Sequence, residues 1–193
     1  MGAMLHINPH GYWSGAGVAT EHRCSPRLAG WLTHYLDRSV PTYDFGCGLG
    51  TYLLALHQVG FERLHGYEGD PPPIPHFGGI ERHDLTEPLE VEEPGNVICL
   101  EVAEHVPEEH SATLLQTVTR ACADKLVFSW AIRGQGGAGH VHELDFFESY
   151  PLLEARGFAI DVAATREARD LAGADLSWFR QSIMICRRRA LPF

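Results

Sequence analysis

Asp44-Phe45-Gly46-Cys47-Gly48-Leu49-Gly50-Thr51 decides how this chain of 193 residues folds. Val40-Pro41-Thr42-Tyr43 before it reads as a short strand. Tyr52-Leu53-Leu54-Ala55-Leu56 after it reads as a helix over residues 50–59, ended by Gly60. A glycine-rich turn between strand and helix lets a ligand press on bare backbone, because glycine has no Cβ and tolerates positive φ. The helix start adds unpaired N–H groups and the positive end of the helix dipole. Arg63-Leu64-His65-Gly66-Tyr67 reads as the next strand, closed by Glu68. An acid there takes the two hydroxyls of a ribose. Turn and acid together predict a nucleoside cofactor in an open α/β sheet.

The dinucleotide fingerprint is G-x-G-x-x-G, whereas Gly46, Gly48 and Gly50 give G-x-G-x-G behind Asp44. An acid before the turn repels a diphosphate and suits a cationic group. That argues against a nicotinamide-dependent oxidoreductase. The D-F-G-C-G-x-G stretch resembles motif I of the class I S-adenosylmethionine (SAM)-dependent methyltransferases. In that family the turn, here Asp44, Gly46, Cys47, Gly48 and Gly50, wraps the positively charged methionine end of SAM. Glu68 stands where the family's ribose acid stands. Asp84 and Leu85, within Arg82-His83-Asp84-Leu85, match its adenine-binding position. Asn96-Val97-Ile98-Cys99-Leu100-Glu101-Val102-Ala103-Glu104-His105-Val106-Pro107 is similar to its fourth strand and the motif after it, and adds Glu101 to the cofactor side. The resemblance covers residues 40–187. It implies SAM as cofactor and a seven-stranded, mostly parallel sheet with helices on both faces and an antiparallel last strand. It leaves the acceptor open.

Composition bounds the function further. The length suits one domain, and 45% hydrophobic residues supply a core. No apolar run approaches the ~20 residues that span a bilayer, and residues 1–10 lack the apolar segment of a signal peptide. Met1-Gly2-Ala3-Met4 reads as a cloning scar; His6 occupies the position where myristoylation needs Ser or Thr. Five cysteines without C-x-x-C suit reduced thiols in a cytoplasm. Cys47 reads as a small packing residue. A formal net charge of −10, with Arg187-Arg188-Arg189 as the one dense basic run, disfavours nucleic acid and anionic membrane as partners.

The rest of the chain alternates strand and helix, the mark of a parallel sheet. Residues 5–23 are rich in Gly, His and aromatics without periodicity. They read as an arm, either disordered or folded over the cofactor as a lid. The second is preferred because Ile7, Tyr12 and Trp13 are costly to leave in water. This gives an arm and helix over 5–39 and a SAM-binding domain over 40–193. Ser25 caps a helix with Pro26 at its first position and a stripe of Leu28, Trp31, Leu32, Tyr35 and Leu36. Asp70-Pro71-Pro72 resembles the catalytic loop of amino-group DNA methyltransferases, but follows the second strand instead of the fourth. It reads instead as a rigid loop along the adenosine. A helix over 107–123, a strand over 125–131 and a glycine-rich loop over 133–143 follow. Ser149 is expected to cap a helix to Arg156 with Pro151 in its first turn. Strands over Phe158–Thr165 and Gln181–Cys186 are expected to close an antiparallel hairpin.

Methyl transfer from a sulfonium needs alignment above all, with a base for hydroxyl or amine acceptors. Glu104 and His105 follow the fourth strand, beside the methyl. His105 is the first candidate for a base or acceptor-orienting group, and a structural histidine is the alternative. His140 and His142 follow the fifth strand and either pack the loop or face the acceptor. His105, His140, His142 and Glu143 could also hold a metal. Metal-using methyltransferases place their acids elsewhere, so no metal is expected. The reading is a methyltransferase for a small molecule. Its alternatives are a protein or nucleic-acid acceptor, or a module that binds SAM without turnover.

Overall fold

Thr42, Tyr43, Asp44 and Phe45 are all buried, as in a strand covered on both faces. In the computed structural model, which describes residues 5–15 and 22–190, these four form β3 (Thr42–Phe45). The expected scar at residues 1–4 lies outside the described residues. β3 pairs in parallel with β4 (Leu64–Glu68) on one side and β6 (Gly95–Cys99) on the other. β5 (Ile80–Arg82) extends the sheet beyond β4, and β7 (Cys122–Ser129) extends it beyond β6. β9 (Ile183–Arg188) runs antiparallel between β7 and β8 (Phe158–Ile160). The order is β5-β4-β3-β6-β7-β9-β8, the expected fold class.

Alternate strand residues feed two cores. Ile98, Val127 and Ile185 face α1 (Pro26–Tyr35), α2 (Thr51–Gln58) and α5 (Val162–Asp175). Val97, Phe128 and Met184 face α3 (Ser111–Ala121) and α4 (Phe146–Glu154). The Ser25 cap is present: its Oγ accepts from the Leu28 amide at 3.1 Å.

The differences from expectation have local causes. Asp44 belongs to β3, because pairing with Gly66 and Ile98 carries the strand to Phe45. The helix expected over 107–123 starts as a 3-10 turn (Glu108–His110) and stops at Ala121, where β7 begins at once. α4 is capped by Asp145, not Ser149. The Glu148 carboxylate accepts the Asp145 amide at 3.0 Å, so the helix starts earlier and Pro151 lies inside it. The strand expected over Phe158–Thr165 ends at Ile160. Asp161 accepts the Ala164 amide at 2.9 Å and starts α5, whose Ala164, Ala168 and Ala172 are buried. The final hairpin therefore contains two helices, α5 and the short α6 (Phe179–Ser182). The arm is not periodic because its strands are two residues each: β1 (His6–Ile7) pairs antiparallel with β2 (Trp13–Ser14).

Gly95 opens β6 against the carbonyl of Pro41, where a Cβ would run into backbone. Gly30 lies exposed on α1 with open space around a Cβ. Alanine should therefore act with opposite signs. Gly95→Ala is expected to cost about 1–3 kcal/mol through overpacking. Gly30→Ala is expected to add about 0.5–1 kcal/mol through helix propensity. Urea denaturation of the two variants checks this; equal effects would contradict the packing described.

Candidate functional site

Strands that connect in opposite directions leave a crevice at their carboxyl ends. Here β3 leads to β4 on one side, and β6 lies on the other. A cavity of about 710 Å³ opens at this point, within the range of small-molecule sites. Its floor is the turn after β3. Gly46, Gly48 and Gly50 have φ of 76°, 55° and 73°, so each needs glycine. Gly46 and Gly48 line the cavity with Cys47, Leu49 and Thr51, whereas Gly50 caps α2 and does not.

Asp44 and Glu68 lie side by side at the strand ends, 3% and 7% exposed. Glu68 accepts the amides of Gly48 and Gly69, both at 2.9 Å, which fixes its plane and leaves lone pairs free. Asp44 Oδ2 has no hydrogen-bond partner among the described residues. Burial, then the charge of Glu68, pushes its carboxyl up to about 8. Glu101, after β6, stands at φ 55°, an uncommon conformation for a side-chain-bearing residue. Four side-chain contacts hold it: Ser129 and Ser182 donate to Oε1 at 2.8 and 3.1 Å, Gln135 donates to Oε2 at 2.8 Å, and its own amide donates to Ser129 Oγ at 2.6 Å. Among the described lysines and arginines, only Arg23 lines the cavity.

Several expected site residues sit elsewhere. Asp84 is not in the lining. Its Oδ2 lies 2.5 Å from His10 Nδ1, and its Oδ1 accepts from the Thr86 amide and hydroxyl. Its neighbours His83 and Leu85 line the cavity instead. The prolines of residues 71–75 do not run along the cavity. His76 donates its amide to the Leu49 carbonyl at 2.8 Å, which folds that loop over the start of α2. His142 points away: its Nδ1 meets Ser111 Oγ at 3.0 Å and its ring sits edge-on to Trp130. Cys47 carries a thiol that burial and then Asp44 hold far above its ordinary range, so it is no nucleophile. His105 and His140 both line the cavity, with Glu104 buried behind them. Burial, then His140, pushes the His105 imidazole down to about 4. Such an imidazole stays neutral and is a weak base near pH 7.

The apolar residues of the arm point to a cover over the cavity, but no local pattern names the partners they meet. Gly11, φ 95°, packs on the His105 carbonyl with no room for a Cβ. Tyr12 lies over Gly69. Trp13 Nε1 donates to the Ala138 carbonyl at 3.2 Å, and its ring stacks on His22 and meets His105 edge-on. Residues 10–13 and 22–24 thus form one wall of the cavity.

Known structures share this architecture. Magnesium protoporphyrin IX methyltransferase from Synechocystis PCC 6803, solved with bound SAM, superposes with a TM-score of 0.58 at 17% identity, over 90% of this chain and 88% of that one. A 1,6-didemethyltoxoflavin-N1-methyltransferase from Burkholderia thailandensis, solved with its acceptor and S-adenosylhomocysteine (SAH), gives 0.61 at 16% identity, over 90% and 81%. The cyclase SpnF gives 0.56 at 15% identity, over 94% and 87%. The chain has the class I methyltransferase fold. No protein-family profile matches it, and no curated protein matches it significantly. Among the described residues no helix is long and apolar enough to cross a membrane.

Trp13 makes two of the arm's contacts to the loops after β6 and β7, and a two-stranded hairpin is marginal alone. Trp13→Ala should raise amide exchange over residues 5–15 about tenfold or more, equivalent to the ~1.4 kcal/mol of a lost aromatic contact, with the sheet unaffected. Mass-spectrometric hydrogen exchange reads this directly. Unchanged protection would mean that other contacts hold the arm.

Proposed function

We propose that this protein is a SAM-dependent methyltransferase acting on a small molecule. The carrying observation is the unpartnered, buried carboxylate of Asp44 beside Glu68 at the crevice of a class I methyltransferase fold. A site that concentrates carboxylates this way attracts a cation, and the ammonium and sulfonium of SAM both answer that need. In this reading Asp44 faces the methionine end, and the free lone pairs of Glu68 take the ribose hydroxyls. The adenine lies toward His83 and Leu85. Asp84 then acts indirectly, by holding His10 of the arm. The arm serves as the cover that excludes water from the reacting methyl. His105 and His140 stand at the acceptor end.

Two observations favour a small acceptor. Residues 10–13 of the arm line the cavity and narrow it, and the net charge of −10 disfavours a nucleic acid. The similar enzymes named above act on a porphyrin and on a toxoflavin precursor. A second reading has its own observation: a cyclase shares the fold, so the architecture alone does not require methyl transfer. Incubation with methyl-labelled SAM and fractionated metabolites separates the two. Label passing to a fraction supports transfer, and SAH binding without label transfer supports the second reading.

Asp44 predicts a pH dependence. Its folded carboxyl titrates at about 8, against an ordinary value of 3.8. The native state therefore holds a proton that the unfolded state has lost between those values. Stability of the ligand-free protein falls as pH rises through that window. A bound ammonium favours the charged carboxylate, so SAH binding expels this proton below about pH 8. SAH affinity should rise from about pH 6 to about pH 8, by at most about tenfold per unit, and then level off. Asp44→Asn should abolish the slope. Calorimetry across pH measures it; a flat profile in the wild type would remove Asp44 from the ammonium site. Gly48→Val should abolish SAH binding at every pH, since a side chain there meets the His22 ring at a strained φ.

A further inference from the structure

Glu104 is completely buried, and neither of its oxygens has a hydrogen-bond partner among the described residues. A buried carboxylate left this way costs several kcal/mol if charged. Histidines stand around it. His140 Nε2 lies 4.0 Å from Glu104 Oε1. The His105 and His140 rings meet edge to face at 4.8 Å, and His105 Nδ1 is also unpartnered. One donor atom from each of the three residues lies within 4.8 Å of the other two.

His140 is oriented from behind. Its Nδ1 lies 2.8 Å from Glu143 Oε1, and that carboxylate is itself fixed by the amides of Gly134 and Gly136, both at 2.7 Å. A carboxylate only accepts, so Nδ1 carries a proton, and the Nδ1–H tautomer presents its Nε2 lone pair toward Glu104. Gly137 packs against that Nε2 edge with no room for a Cβ. A carboxylate behind a histidine, which fixes tautomer and ring plane, is the arrangement that supports metal-ligating histidines.

We infer that Glu104, His105 and His140 form a divalent-cation site at the acceptor end of the cavity, taking a first-row transition ion such as Mn²⁺, Co²⁺ or Zn²⁺. Two imidazoles and one carboxylate suit these ions, whereas Mg²⁺ and Ca²⁺ prefer oxygen alone. Metal–ligand bonds of about 2.0–2.2 Å require the three donors to draw together on binding. An ion there gives Glu104 and His105 Nδ1 the partners they lack among the described residues. The set differs from the one the sequence suggested. Glu104 replaces His142, and Glu143 supports His140 instead of ligating.

Three protein donors leave coordination positions open. His105 and His140 line the cavity, so those positions face it. Resting on the methyltransferase reading, the acceptor class narrows to a molecule that offers the ion an oxygen, from a hydroxyl or carboxylate, beside the methyl.

The test uses Co²⁺ on the full chain treated with chelator and desalted. Equilibrium dialysis should show one tight equivalent, with a visible absorption band that shifts when acetohydroxamate, an oxygen ligand, is added. Glu104→Gln, which keeps the shape and removes the charge, should weaken Co²⁺ binding about a hundredfold or more, as should His140→Ala. Glu143→Gln should weaken it about 10–100-fold. The exposed His34→Ala should change nothing. Co²⁺ affinity in folded Glu104→Gln and His140→Ala indistinguishable from wild type would overturn the site, as adventitious histidine binding. A band indifferent to acetohydroxamate would overturn the open positions. SAH calorimetry on the chelator-treated protein keeps the two readings apart. SAH binding without a Co²⁺ site defeats only the cation, and a Co²⁺ site without SAH binding defeats only the methyltransferase.

Discussion

Asp44, one residue before the end of β3, carries an oxygen with no hydrogen-bond partner among the described residues, and Glu68 ends β4 beside it. Parallel pairing brings them to one edge, because Asp44 sits opposite Gly66 and Glu68 lies two residues further along β4, on the same face. Glu101 and Glu104 reach the same edge from β6. The result is a sheet end where buried carboxylates gather and, among the described residues, one arginine lines the cavity. Buried like charges destabilise one another, so this arrangement persists at a cost to the fold. A cationic ligand is the direct way to relieve it. In the proposed reading the cavity divides by charge, with Asp44 and Glu68 at the cofactor end and Glu104 with its histidines at the acceptor end.

The arm completes that division. His10 reaches Asp84, Gly11 reaches the His105 carbonyl, and Trp13 reaches Ala138 and His105. One segment thus touches the loops after β5, β6 and β7. Its contacts are aromatic and polar, without the apolar stripe that anchors α1 or α3. Such a segment belongs to the less stable part of a fold, where moving elements are found. On the proposed function, a cover over a reactive sulfonium has to open for cofactor entry, and this construction suits it.

Much of this was legible in the sequence, where strong local chemistry and tertiary structure agree. The glycines of the turn, the strand-helix alternation and the Ser25-Pro26 start each have one dominant cause. What was missed had competing causes. Residues 158–165 are apolar enough for a strand, yet Asp161 caps a helix whose buried face is mostly alanine, a weak periodic signal. Ser149 and Asp145 are both capping residues, and only the Glu148 partner decides between them. Asp84 stands in the expected place but is taken by His10, a contact across 74 positions that no local pattern reports. The histidines sorted by the path of the loop. The Val141 and His142 amides both bind the Glu104 carbonyl, which turns His140 toward the cavity and His142 toward Trp130.

The central claim is that the crevice binds a nucleoside that carries an ammonium and rejects a diphosphate. Titrating SAH and NADH separately into the same protein by calorimetry tests it most directly. One site for SAH and no measurable heat from NADH are expected, because the Asp44 and Glu68 edge offers a diphosphate no cation. NADH binding with SAH silent would contradict it.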